Sequence, residues 1–369
     1  MVSFNSPILV GNLQLQNRVV LAPLTRNRAH DDHVPSDLAR KYYGQRASVP
    51  GTLLITEGTF ITARAGGTAN VPGIWSEAQV KEWKTITDEV HQRGSYIFCQ
   101  LWALGRSANP KILAKTGDVV VSSGNIALTE TTPRALGEDE ILDWIQDYVK
   151  AAKNAIEAGF DGVEIHGANG YLPDQFLQDT ANNRVDRWGG SVENRSRFGF
   201  EVAKAVSEAI GSKKTGYRIS PWSTFQNMRM EGFRDQFADL VTRLSRLNLA
   251  YLHIVEPRIS GGQTVEDTSA NDETTNKDDT FLFDAFGNSG AYILAGGFSP
   301  ESAQKRLEKQ PDLPIAIAFG RHFIANPDLP FRVEKNISLN QYDRSTFYTP
   351  KSPVGYVDYP FSQEFTARG

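Results

Sequence analysis

The run Asp161-Gly-Val-Glu-Ile-His166-Gly-Ala-Asn169-Gly-Tyr171 carries an apolar stretch straight into three side chains that handle protons. His166 and Asn169 can both donate hydrogen bonds to one developing oxyanion, and the Tyr171 hydroxyl is a weak acid placed to deliver a proton nearby. Together they read as a carbonyl-polarising clamp beside a proton donor. A lone His after a strand is ordinarily a packed core or loop residue; three such groups within one turn point to chemistry instead.

Other strand-like runs end in polar or glycine-rich turns too. The first closes in Ala22-Pro23-Leu24-Thr25, the second in Glu57-Gly58, the third in Gln100-Leu-Trp102 and the fifth in Arg218-Ile-Ser-Pro-Trp222. The last two close in Gly296-Gly297 and Gly320-Arg321, where bare backbone N–H groups and a fixed positive charge can hold a phosphate. A phosphorylated ligand is therefore expected.

The elements that must position these groups are short β-branched runs at 17–22, 52–57, 95–101, 161–166, 215–220, 250–255, 291–295 and 315–319. Between them, residues 35–48, 76–94, 139–159, 193–211, 234–249 and 299–309 repeat apolar residues every three or four positions, as helices do. Ser76 with Gln79 and Ser299 with Ser302 read as helix starts, and Gly94 and Gly211 as stops. Eight runs alternating with helices predict an α/β fold, a single (β/α)₈ TIM barrel spanning residues 1–369. No G-x-G-x-x-G follows a strand, which argues against a Rossmann fold. Residues 8–15 read as an amino-terminal hairpin capping the barrel floor. Three long stretches, 104–138, 172–192 and 257–280, read as irregular loops rising from the catalytic face, the last as either a lid or a disordered segment.

The net charge of -4 and scattered basic residues argue against a nucleic-acid partner. One cysteine, Cys99, excludes an intrachain disulfide and suits a reducing compartment. With no apolar stretch near the roughly 18 residues that span a bilayer and no leader-like start, a cytoplasmic protein without a membrane partner is expected. His253 and His322 lack metal-ligand spacing, so no metal is expected. Glu164 is expected to pair with a cationic neighbour inside the barrel rather than to act as a base. Arg184-x-Asp186-Arg187-Trp188 reads as an ion-pair network ordering its loop rather than a substrate clamp.

In order and together, Pro23-Leu24-Thr25, Gln100-x-Trp102, His166-x-x-Asn169-x-Tyr171, the run Arg184 to Arg195, Gly320-Arg321 and the tail Tyr342-Asp343-Arg344 to Phe347-Tyr348 resemble the old yellow enzymes, FMN-dependent ene-reductases built on one barrel. The likeness covers nearly the whole chain. Residues 43–56 and 97–102 are similar to the fungal branch, which includes reductases of ergot alkaloid synthesis that act on chanoclavine-I aldehyde; that narrower activity stands as an alternative.

The resemblance implies that Pro23, Leu24 and Thr25 line the flavin, Gly58 and Gln100 meet its pyrimidine edge, and Arg218 stabilises its reduced anion. It further implies that Gly296, Gly297, Gly320 and Arg321 hold the FMN phosphate and that Phe347 touches the flavin. His166 and Asn169 would grip the carbonyl of an enal or enone, His166 also lying against the flavin. Tyr171 would protonate the α-carbon after hydride reaches the β-carbon, and Trp102, Phe225 and Tyr348 would wall the substrate. NADPH, or NADH less efficiently, would supply the hydride, and the molecule would act as a monomer or homodimer. Two departures bear on substrate shape: Gln226 stands where many relatives carry Asn, and no matching aromatic follows Glu256-Pro257-Arg258. Some members carry Phe in place of Tyr171 and behave as isomerases, so Tyr171 favours net reduction. The rival reading is a flavin-free barrel lyase or isomerase gripping a substrate phosphate at Gly320-Arg321.

Overall fold

Eight strands run in parallel around a closed sheet: Val19–Leu21, Leu53–Ile55, Tyr96–Trp102, Gly162–His166, Thr215–Ile219, Tyr251–Val255, Ala291–Ala295 and Ile315–Phe319. Each pairs with the next, and the eighth returns to the first through Ile317 opposite Val19 and Phe319 opposite Leu21. The structure, a computed structural model, describes residues 2–257, 259–260, 263–264 and 278–368. Most of the 257–280 loop therefore lies outside the described residues.

Strand register explains why the runs read as almost continuously apolar. Side chains alternate between the helical layer and the barrel interior, and both are dry. Val163, Ile165, Tyr217, Ile219, Leu252 and Ile254 face outward into the main core under the helices. Val20, Leu53, Phe98, Tyr251, Ile293 and Ala316 fill the interior, where Ile8, Val10 and Leu15 of the antiparallel hairpin Ile8–Val10 and Leu13–Leu15 plug the floor. Higher up, the inward positions turn polar: Gln100, Glu164, His166, Arg218 and His253 are buried.

Helices Asp37–Arg46, Glu77–Gln92, Glu138–Glu157, Val192–Ile210, Phe233–Ser245 and Pro300–Lys309 lie where the periodicity places them. The Ser76–Gln79 and Ser299–Ser302 caps form, and Gly94 and Gly211 take positive φ at helix ends. Three short helices, Thr280–Phe286, Arg321–Ala325 and Leu329–Lys335, were too brief for a 3.6-residue repeat to show. The 172–192 stretch is not wholly irregular, because Leu172–Leu177 is helical with Pro173 in its first turn. Likewise 104–138 contains the helix Pro110–Leu113 and a parallel pairing of Val121–Ser122 with Arg134–Ala135.

Candidate active site

At the carboxyl ends of the strands opens a cavity of about 400 Å³, within the roughly 300–1,000 Å³ usual for small-molecule sites. Its shape follows from side-chain size. Strands one, seven and eight present Ala22, Ala295 and Ala318, leaving room; strands three to five present Gln100, Trp102, His166 and Arg218. Every residue assigned above to flavin, clamp, acid or aromatic wall reaches this one cavity: Pro23, Leu24, Thr25, Gly58, Gln100, Trp102, His166, Asn169, Tyr171, Arg218, Phe225, Gly296, Gly297, Gly320, Arg321, Phe347 and Tyr348. Val255, Phe298, His322, Tyr342 and Arg344 also line it without having been singled out for it. Tyr342 and Arg344 belong to the same tail motif as Phe347 and Tyr348, which was the available signal.

Sheet register sets a polar row across the barrel. Gln100 lies opposite Glu164, His166 opposite Arg218, and Arg218 opposite His253. Glu164 accepts from Gln100 Nε2 at 2.7 Å and is bonded to His253 Nδ1 at 2.7 Å. Burial alone would raise its pKa, but His253, Arg218 and Gln100 outweigh burial and hold the carboxyl below its ordinary value. Glu164 is thus a buried anion beneath the cavity, paired as expected, and its charge balances Arg218.

His166 is held neutral, because burial and then the charges of Arg218 and His253 push its imidazole well below the usual range. Its ring stands 4.9 Å from that of Tyr171, centroid to centroid. Asn169 adopts φ 59° and Gly170 φ 75°, a left-handed turn that sharply reverses the chain after the fourth strand. Ser220 Oγ accepts from the Asn169 N–H at 2.7 Å and Asp174 Oδ2 from the Gly170 N–H at 2.8 Å, pinning that turn. Burial, followed by Tyr348, pushes the Tyr171 phenol up to about 12, so it keeps its proton near neutral pH.

The tail is strapped over the cavity by two buried arginines. Arg26 donates to the carbonyls of Phe347 at 3.1 Å and Gly355 at 2.7 Å. Arg28 donates to Phe347, Thr346, Val354 and Ser352 at 2.7 to 3.0 Å. Phe347 is thereby buried at the cavity while Tyr348 remains exposed at its rim. Arg184 pairs with Asp186 at 2.6 Å and donates to the carbonyls of Ser123 and Leu136, so this motif orders two loops.

Three residues of the cavity wall each carry a buried nitrogen with no protein partner among the described residues: His166 Nδ1, Arg218 Nε and Trp102 Nε1. Leaving such groups unsatisfied costs on the order of 1–3 kcal/mol each, so the wall is built for a polar ligand. Gly58 narrows the same wall, since a Cβ there would come 2.6 Å from the Trp102 ring.

Residues 4–340 match the sequence profile of the NADH:flavin oxidoreductase / NADH oxidase family. The chain belongs to this family. "Chanoclavine-I aldehyde reductase fgaOx3" of Penicillium roqueforti is 53% identical over 369 residues, covering 99% of this chain and 98% of that protein. "Probable inactive reductase easA" of Epichloe festucae var. lolii is 47% identical, covering 98% and 95%. Among solved structures, the Old Yellow Enzyme from Pichia sp. AKU4542 superposes with a TM-score of 0.89 at 38% identity, covering 98% of this chain and 94% of that one. The likeness to the old yellow enzymes read from the motifs is therefore shown, with FMN as cofactor and a nicotinamide nucleotide as reductant. A flavin-free lyase or isomerase is set aside. The unpaired nitrogens and the glycine-lined wall fit such a cofactor. Among the described residues, no helix is long and apolar enough to cross a membrane.

Proposed function

We propose that this family member reduces the activated C=C bond of α,β-unsaturated aldehydes and ketones, taking its reducing equivalents from NADPH or, less efficiently, NADH. The observation that carries this reading is the convergence of His166, Asn169 and Tyr171 on one cavity with Arg218 and the two glycine turns. Pro23, Leu24, Thr25, Gly58, Gln100, His166, Arg218 and Phe347 would hold the flavin ring, and Gly296, Gly297, Gly320 and Arg321 its phosphate. FMN held there would supply the hydride transfer that links the nicotinamide to the alkene.

The chain's own residues do the rest. His166 and Asn169 grip the substrate carbonyl oxygen, where negative charge grows as the β-carbon is reduced. A neutral imidazole donates there without a formal charge of its own, and two preorganised donors supply roughly 3 kcal/mol of transition-state stabilisation. Tyr171 holds a proton at its phenol oxygen and gives it to the α-carbon. Trp102, Phe225 and Tyr348 wall the substrate and keep water from that proton. Asp174 and Ser220 fix the turn that carries both clamp and acid. The reading includes a cytoplasmic location, consistent with the buried free thiol of Cys99.

A narrower reading, reduction of chanoclavine-I aldehyde, is supported by the relative of that printed name at 53% identity. Initial rates with NADPH against cyclohexenone, cinnamaldehyde, a nitroalkene and chanoclavine-I aldehyde test both. Saturation of the C=C bond in several of the simple substrates is expected; turnover of the alkaloid aldehyde alone would leave only the narrower reading, and turnover of none would contradict both.

A further inference from the structure

Glu164 does not line the cavity but holds a residue that does. The sheet sets Gln100 opposite Glu164 on neighbouring strands, and Gln100 Nε2 donates to Glu164 Oε1 at 2.7 Å. His253 Nδ1 takes the other carboxylate oxygen, also at 2.7 Å, and the side chains of this second pair are 0% exposed. Gripped at both oxygens, the carboxylate keeps one orientation toward Gln100. The Gln100 main chain is fixed as well, its N–H donating to Thr56 Oγ1 at 2.9 Å.

The charge of Glu164 decides which end of the Gln100 amide faces it. Burial raises the Glu164 pKa, but His253, Arg218 and Gln100 together lower it by more, so the group stays ionised. An ionised carboxylate accepts hydrogen bonds and has none to donate, so the amide meets it through N–H and the His253 proton sits on Nδ1. The reverse arrangement would press the amide oxygen against an anion. Gln100 Oε1 is thereby left at the far end of a planar group. It accepts no hydrogen bond among the described residues, and Gln100 lines the cavity. Arg218, on the same cavity wall, has donors only. The pyrimidine edge of a flavin carries two carbonyl oxygens with a single N–H between them. Donors satisfy the carbonyls, whereas the N–H needs an acceptor, and burying it without one is unfavourable.

We infer that Glu164 is a positioning residue that commits the Gln100 amide to one orientation, N–H toward the carboxylate and carbonyl oxygen toward the cavity, so that the wall offers an acceptor to the ring N–H of FMN. This rests on the reading that Gln100 meets the pyrimidine edge. It gives the buried carboxylate a task apart from balancing Arg218: through Gln100 it selects flavins that carry that N–H.

The full-length protein is loaded to equilibrium from an excess of FMN and 3-deaza-FMN in equal amounts, the second carrying C–H in place of the ring N–H, and the ratio of bound flavins is read by chromatography. A merely structural role for Glu164 would weaken both flavins alike and leave the ratio untouched. The unmodified protein is expected to favour FMN about tenfold, the worth of one buried hydrogen bond. Glu164→Met, similar in length but without an acceptor, should lower that preference to about threefold or less, because the released amide can turn and its N–H has lost its partner. Glu164→Gln, which can offer Gln100 either an oxygen or an N–H, should fall between. In a Gln100→Met background no amide remains to be oriented, so Glu164→Met should change the ratio no further. An unchanged preference in Glu164→Met, or a drop of the same size in the Gln100→Met background, would overturn the proposal; the second result would mean that the carboxylate acts by its charge alone. If Glu164→Met fails to fold, an unchanged preference in Glu164→Gln overturns it instead. Gln100→Met measured alone separates the two ideas: if it keeps the preference, the placing of Gln100 at the pyrimidine edge has failed. If it loses the preference while both Glu164 variants keep it, only the role of Glu164 has failed.

Discussion

The phenol ring of Tyr171 meets the indole of Trp102 edge to face, with centroids 4.9 Å apart and planes at 86°. Together with the His166 ring this contact fixes the phenol by packing, independently of its hydroxyl. Tyr171→Phe therefore removes the phenol hydroxyl and little else. Rapid-mixing kinetics should show reoxidation by enones slowed at least about a hundredfold, the lower end of general-acid contributions. Reduction by NADPH should be nearly unchanged; equal damage to both would contradict the assignment.

In the proposed function, His166 and Asn169, which both line the cavity, clamp an oxygen anion. Changing both to Ala should abolish the long-wavelength charge-transfer band that bound phenols produce in this family, followed by titrating the FMN-loaded protein with 4-hydroxybenzaldehyde. Enone turnover should fall by roughly 100-fold or more, the cost of removing oxyanion donors. A band of undiminished strength would place the clamp elsewhere.

Much of this site was readable from the chain because barrels gather chemistry at strand ends, and strand ends are visible as places where an apolar run stops. His166, Arg218 and Gly320 are each found that way. Other features were hidden for a physical reason. Arg26, Arg28 and Arg46 look like ordinary surface charges in sequence, yet all three are buried and satisfied largely by main-chain carbonyls, which carry no sequence signal. Gln226 was visible as a departure from relatives, but nothing in the sequence marks its left-handed backbone. The helix Leu172–Leu177 was missed because every one of its residues is buried, leaving no amphipathic stripe to detect.

Glu57 makes stability depend on pH. It precedes Gly58 of the cavity wall and accepts from the Arg26 N–H at 3.0 Å, and burial pushes its carboxyl up to about 7. The folded state thus holds the proton more tightly than the unfolded chain, whose value is near 4.5. Stability from this group is complete below that lower value and is lost as pH rises through about 7, a difference of roughly 3 kcal/mol. Asp174, pushed up to about 6 chiefly by burial, acts the same way over a lower window. Melting temperature should fall as pH is raised from about 5 to about 8, and Glu57→Gln should remove the upper part of that fall. Identical profiles for both proteins would refute this.

Arg28 holds the tail through four carbonyls. Arg28→Met removes the shared donor, leaving the Phe347 carbonyl with its bond from Arg26, and should cost on the order of 3 kcal/mol in urea unfolding. It should also weaken FMN retention, followed by flavin fluorescence, because Phe347 lines the cavity. Arg28→Lys should recover little, since a point charge cannot reproduce the planar fork. Wild-type stability and flavin retention in Arg28→Met would show that the strap is dispensable.

The central claim is that the enzyme saturates the alkene and leaves the carbonyl intact. Its most direct test is a single anaerobic turnover of the reduced, FMN-loaded protein with cinnamaldehyde in deuterated water, with the product read by NMR. The account predicts 3-phenylpropanal carrying deuterium at the α-carbon, where Tyr171 delivers it. Cinnamyl alcohol, reduced at the carbonyl with its double bond retained, would contradict it.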